Sequence, residues 1–127
     1  RLVVFSLEGK DQVPPQPPPY FPQPIADPDF TPDEKLAAKG YDLYWKCFNC
    51  HGAKVIAKGM APDLRASRIV HNQIVFNSVV RDGIKADMGM PAYKDLTDED
   101  LRALRHYINT QANESLKDKV TTKAVGF

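Results

Sequence analysis

The chain has 127 residues, enough for one domain, and its charges nearly balance, with 17 Lys and Arg against 16 Asp and Glu. Without a basic excess there is little to neutralise a row of phosphates, which argues against nucleic acid as a partner. No apolar run is long enough to span a bilayer, and because the chain starts at Arg1 rather than a methionine, a processed or excised piece of a longer protein is expected.

Residues 1–12 read as one strand ending in a turn. Val3, Phe5 and Leu7 alternate with other positions, and Glu8-Gly9-Lys10-Asp11 has turn chemistry. A lone strand leaves backbone groups and an apolar face unpaired, and no second strand follows to complete a sheet, so a frayed terminus is the alternative reading. Residues 13–30 read as a proline-rich linker. Pro14, Pro15, Pro17, Pro18, Pro19, Pro22 and Pro24 hold seven of the chain's eleven prolines. Such a stretch favours extended polyproline II at roughly 3 Å per residue and acts as a stiff spacer, or as a docking ligand for another domain.

The compact unit is expected over 31–113, all-helical, with a tail at 114–127. Thr31-Pro32-Asp33-Glu34 has the form of a capping box with proline at the first helical position. It predicts a helix over about 32–47, burying Leu36, Gly40, either Leu43 or Tyr44, and Cys47. A middle helix is predicted over about 68–82, with Ile69, Ile74, Val75 and Val79 as its apolar residues and Gly83 as its stop. Thr97-Asp98-Glu99-Asp100 opens a last helix, in which Leu101, Leu104, Tyr107 and Ile108 recur at helical spacing to about residue 112. A domain of roughly eighty residues has a small apolar core, and a large flat cofactor would supply buried surface.

The two cysteines stand as Cys47-Phe48-Asn49-Cys50, followed directly by His51. Cys-x-x-Cys-His is the attachment pattern of haem c. Two thiols at this spacing reach the two vinyl groups of one porphyrin edge, and the adjacent histidine is held beneath the iron. A thioredoxin-like dithiol shares the Cys-x-x-Cys spacing but needs a strand–helix setting. A structural zinc site needs four ligands, and His71 and His106 are distant in sequence. Met88 and Met90, in the loop before Pro91, are candidates for the sixth iron ligand, and the residues alone leave the choice between them open. Met60, His71 and His106 are the remaining candidates. A backbone carbonyl in Gly59-Met60-Ala61-Pro62-Asp63-Leu64 is placed to take the second ring N–H of the histidine. Lys46, Lys54, Lys58, Lys85 and Lys94 flank these loops and read first as solvated surface, with steering of an acidic partner as the alternative, diluted by Asp87 and Asp95.

Together these residues resemble a class I cytochrome c over about 31–112. The carriers are Cys47-x-x-Cys50-His51-Gly52, Ala61-Pro62-Asp63-Leu64 and Gly89-Met90-Pro91-Ala92-Tyr93, with a helix on either side. The resemblance implies a class I cytochrome c fold of about three main helices round one covalent haem c. It implies that His51 and Met90 are the axial ligands and that Pro62 supplies the carbonyl to the histidine ring. It also implies a close crossing of the first and last helices at Gly40 and Tyr107. The family usually places three residues between the first helix's aromatic and the first cysteine, whereas Tyr44 leaves two.

The outlying segments narrow the likeness. Residues 1–10, the proline-rich tether and Val80-Arg81-Asp82-Gly83-Ile84-Lys85-Ala86-Asp87-Met88-Gly89-Met90-Pro91-Ala92-Tyr93 resemble the C-terminal end of quinohaemoprotein alcohol dehydrogenases. That implies a missing β-propeller domain in cis, holding PQQ and calcium, whose last strand is residues 1–12. It implies electron transfer from PQQH2 through the haem to a periplasmic acceptor such as a blue-copper protein or a soluble cytochrome. A free-standing monohaem carrier explains 31–112 equally well, and a haem enzyme or gas sensor would need an open iron site.

Overall fold

The computed structural model describes residues 7, 8, 10, 15, 22–57 and 59–124, with side chains described as far as Asp118. Most of the expected strand over 1–12 and of the proline-rich stretch lies outside the described residues, as does Lys58. Within the described residues the chain is helical, with no strand. Three α-helices, α1 (Glu34–His51), α2 (Gln73–Val80) and α3 (Asp98–Ala124), are joined by loops containing short 3-10 turns.

Helix α1 starts two residues later than the capping pattern predicts. Asp33, not Thr31, is the N-cap, its carboxylate accepting the Leu36 N–H at 3.0 Å. The cause is tertiary. The Asp33 N–H is taken by His106 Nε2 on α3 at 2.9 Å, and Asp33 stays extended at φ −134° and ψ 110°. The helix also runs on past Cys47, through both cysteines to His51.

The predicted single helix over 68–82 is two pieces. A 3-10 turn covers Arg68–His71, the chain extends at Asn72, and α2 follows. The Asn72 side chain accepts the Val75 N–H at 3.1 Å and so caps α2. Restarting the helix there turns Phe76, Val79 and Val80 into the core. Ile74 stands 79% exposed and Val75 40% exposed, so neither is the core residue that the apolar pattern suggests.

Helix α3 opens on the reciprocal cap that its sequence predicts. Thr97 N–H donates to Asp100 Oδ2 at 3.1 Å, and Asp100 N–H to Thr97 Oγ1 at 3.2 Å. Leu101, Leu104, Tyr107 and Ile108 are all buried, as expected, but the helix continues past residue 112 to Ala124. With Tyr44, Val55, Val70, Phe76, Val80 and Leu96 they form the core. Full burial of Leu101 and Leu104 contributes about 1.5–3 kcal/mol each.

Ahead of α1, the extended residues 22–30 are fixed to this body. Pro24 is buried, the Ile25 N–H donates to Arg65 O at 2.9 Å, and Asp27 Oδ2 accepts from Arg105 Nη2 at 3.3 Å. The Phe30 ring lies 4.7 Å from that of His106.

Candidate functional site

Cys47, Cys50 and His51 occupy the last turn of α1. Cys47 is half-buried and packed against the core, Cys50 is exposed, and both thiols are free. Burial pushes the Cys47 thiol up to about 11, with the Cys50 charge adding to the shift and Lys46 opposing it. A dithiol oxidoreductase needs the reverse, a thiolate favoured at neutral pH. Among the described residues no three His, Cys, Asp or Glu side chains gather to hold a metal ion.

Gly52 ends the helix at φ +76°, its N–H donating to Phe48 O at 2.8 Å. A Cβ at this position would stand 2.1 Å from Ile56 O, so only glycine lets the chain double back here. The return turn is strained. Lys54 and Val55 both take positive φ, +51° and +63°, which costs on the order of 1–3 kcal/mol for such residues. Complete burial of Val55 offsets a comparable amount. Tyr44 ties the turn to the helix through its hydroxyl, which donates to Gly52 O at 2.8 Å. Tyr44 is therefore the buried aromatic of the pair left open in sequence, and Leu43 is only half-buried.

This turn lets the chain pass back beneath His51, whose ring is buried. Its Nδ1 lies 2.9 Å from Pro62 O. A carbonyl only accepts, so Nδ1 carries the proton and Nε2 keeps its lone pair. The position of Pro62 is itself held. Asp63 accepts the Arg65 N–H at 3.0 Å and pairs with Arg65 Nη2 at 2.6 Å, and both side chains are nearly buried. Arg65 Nη1 then donates to Ser115 Oγ of α3 at 3.0 Å. Sequence reasoning missed this support. The spacing of Asp63 and Arg65 was its one local signal, and Ser115 gave none.

The second loop separates the two methionines. Met90 is half-buried and packs against the core, whereas Met88 is 73% exposed and Met60 is 78% exposed. His106 is remote. It sits at the start of α1, and the 18 residues of that helix put His51 about 27 Å away along the axis. Lys46 pairs with Asp95 at 3.2 Å instead of standing alone in a positive patch.

A groove of about 270 Å³, lined by Tyr41, Tyr44, Trp45, Phe48, Lys54 and Tyr107, lies between α1, α3 and the turn after Gly52.

The arrangement can therefore tether a planar group by two thioethers, offer one imidazole Nε2 to its metal, and bring a thioether from the facing loop. Ile56 and Ile84, exposed in the two loops, are apolar surface of the kind such a group covers. These features fit a haem c.

Comparison with known proteins points the same way. The family model described as cytochrome C oxidase, cbb3-type, subunit III matches residues 35–108. The dehydrogenase subunit of an alcohol dehydrogenase (quinone) from Gluconobacter oxydans (strain 621H) is 35% identical over 125 residues, covering 97% of this chain and 16% of that protein. Quinohemoprotein alcohol dehydrogenase ADH IIB of Pseudomonas putida is 34% identical over 117 residues, 90% of this chain and 17% of its own length. Lupanine 17-hydroxylase [cytochrome c] of a Pseudomonas species is 33% identical over 127 residues, 97% of this chain and 18% of its own. The chain thus spans about one sixth of the length of these curated relatives.

Proposed function

The chain belongs to the class I cytochrome c family, in the branch whose model matches residues 35–108, and from that premise we propose that it passes single electrons through one covalent haem c. Cys47 and Cys50 would hold the haem through two thioethers, and His51 Nε2 and the Met90 thioether would hold its iron. The observation that carries this reading is the His51–Pro62 hydrogen bond beside two free thiols, which leaves Nε2 uncommitted at the end of the attachment turn.

Haem iron supplies a one-electron couple between ferric and ferrous states. The residues of this chain set how that couple behaves. Pro62 fixes the imidazole tautomer and makes the ring a stronger donor. Met90, a soft and neutral ligand, raises the potential. The apolar core behind Cys47 and Tyr44 keeps water from the buried side.

The electron donor in this reading is PQQH2, formed in a β-propeller domain of the same polypeptide that also holds calcium. The acceptor is a periplasmic blue-copper protein or soluble cytochrome. The names of the relatives and the chain's share of their length support it. So does the proline-rich stretch, because a tether raises the effective concentration of two redox centres to the millimolar range or above. Covalent haem attachment is carried out outside the cytoplasm, and no helix among the described residues is long and apolar enough to cross a membrane. Both fit a periplasmic protein.

The test is the visible spectrum of the purified chain, oxidised and reduced, beside a denatured sample. Haem c bands that survive denaturation, with the weak long-wavelength band of methionine-bound ferric iron, are the expected result. A colourless protein would overturn it and return Cys47 and Cys50 to a dithiol or metal-pair reading.

A further inference from the structure

Tyr93 lies three residues after Met90, and its hydroxyl donates to Lys46 O at 2.7 Å. Lys46 immediately precedes Cys47, so this bond joins the methionine loop to the turn that bears the two cysteines. A carbonyl has two lone pairs, so Lys46 O can take the phenol as well as a helical N–H. The Lys46 side chain closes over the same residue. Its Nζ stands 5.9 Å from the centre of the Tyr93 ring and 3.2 Å from Asp95 Oδ2. The other end of the loop is also fixed, because the Tyr93 N–H donates to Val80 O at 2.9 Å at the end of α2.

We propose that Tyr93 is a positioning residue for the methionine ligand, clamping the Met90 loop onto the haem-attachment turn through its hydroxyl. The proposal rests on the reading of Met90 as ligand given above. A thioether is a weak, uncharged ligand, so how often it occupies the iron depends on how firmly its loop is held. Only Pro91 and Ala92 lie between Met90 and Tyr93, and Pro91 has a restricted φ, so little slack separates the anchor from the ligand. The half-buried ring packs against the core and would hold the loop loosely without its hydroxyl. The hydroxyl fixes the loop to the backbone of α1, beside the exposed Lys46–Asp95 pair.

The experiment compares the haem-loaded chain with its Tyr93→Phe, Met90→Ala and Asp100→Ala variants, titrating the ferric forms with imidazole. Imidazole binds only when the methionine has left, so its apparent affinity reports how often the loop opens. Phenylalanine keeps the ring packing and removes one hydrogen bond. Tyr93→Phe is expected to bind imidazole roughly three- to tenfold more tightly than the parent chain. Asp100→Ala, which weakens the cap of α3, is expected to lose thermal stability with imidazole affinity unchanged. If Tyr93→Phe binds imidazole as the parent does while Met90→Ala loses the methionine band, the clamp is wrong and the ligand reading stands. A similar gain of affinity in Tyr93→Phe and Asp100→Ala would also overturn the clamp, since the effect would then be one of global stability. A methionine band that survives Met90→Ala overturns both readings.

Discussion

Gly40 of α1 lies directly on Ala103 of α3: a Cβ built at Gly40 would stand 2.1 Å from the Ala103 carbonyl oxygen and 2.7 Å from Tyr107 Cβ. The obstruction is helix backbone, which cannot swing aside as a long side chain can. Gly40→Ala therefore has to push α1 and α3 apart. Alanine regains about 1 kcal/mol of helix propensity, but overpacking typically costs about 1–3 kcal/mol, and an obstruction by rigid backbone belongs at the upper end of that range. A fall in thermal midpoint of the haem-loaded protein, by circular dichroism, is expected. An unchanged midpoint would mean that the crossing is looser than the structure has it.

The buried Asp63–Arg65 pair supports the carbonyl that holds His51. Asp63→Asn leaves the guanidinium nearly buried without its charge partner, and a loss of about 3 kcal/mol is expected from denaturant unfolding. The same change loosens Pro62. A histidine that donates less firmly to a carbonyl is a poorer donor to iron, so the midpoint potential should rise. Electrochemistry of the parent and variant checks this, and an unaltered potential would separate Asp63 from the ligand's orientation.

Met88 and Met90 should respond differently to removal. Met90→Ala is expected to abolish the long-wavelength band of methionine-bound ferric iron and lower the potential. Met88→Ala, which removes a 73% exposed side chain, should leave both nearly as they were. The reverse pattern would transfer the ligand role to Met88.

Acid should loosen the junction of α1 and α3. His106 Nε2 accepts the Asp33 N–H, so the ring is neutral in the fold, and burial lowers its pKa from the ordinary 6.5. The nearby Arg105 and Arg102 add to the lowering, and the Asp33 carboxylate opposes it. As pH falls, the unfolded chain takes up this proton before the folded one does. The stability tied to neutral His106 is therefore complete above about 6.5 and is lost below it. Thermal midpoints measured from pH 7.5 down to 5.5 should fall more steeply in the parent than in His106→Gln. Parallel slopes would remove His106 from the account.

A second acid limit lies lower. Hydrogen bonds from Thr97, and then Lys39, hold the Asp100 carboxyl at about 2, against an ordinary 3.8. Here the unfolded chain again binds the proton first. The contribution of Asp100 is whole above 3.8 and disappears as pH falls towards 2. Asp100→Asn should flatten the stability profile in that window and leave the His106 window as it is.

Where every partner lies within a few residues, the sequence was sufficient. The Thr97–Asp100 cap, the stripe from Leu101 to Ile108 and the Cys47-Phe48-Asn49-Cys50-His51 turn are readable there because a helix repeats every 3.6 residues and a cap spans three. Ile74 and Val75 show the limit. Both are as apolar as Phe76, and only the restart of the helix at Asn72 decided which of them face the core. The start of α1 was decided by His106, seventy-three residues away, and the tilt of the His51 ring by Pro62, which a strained turn brings back beneath it. The residues alone likewise left Met88 and Met90 open, with only the resemblance implying Met90, and the packed loop half-buries Met90 and exposes Met88. Local pattern is written in the order of residues, whereas burial and long-range hydrogen bonds depend on which surfaces meet, and that is decided only when the chain closes on itself.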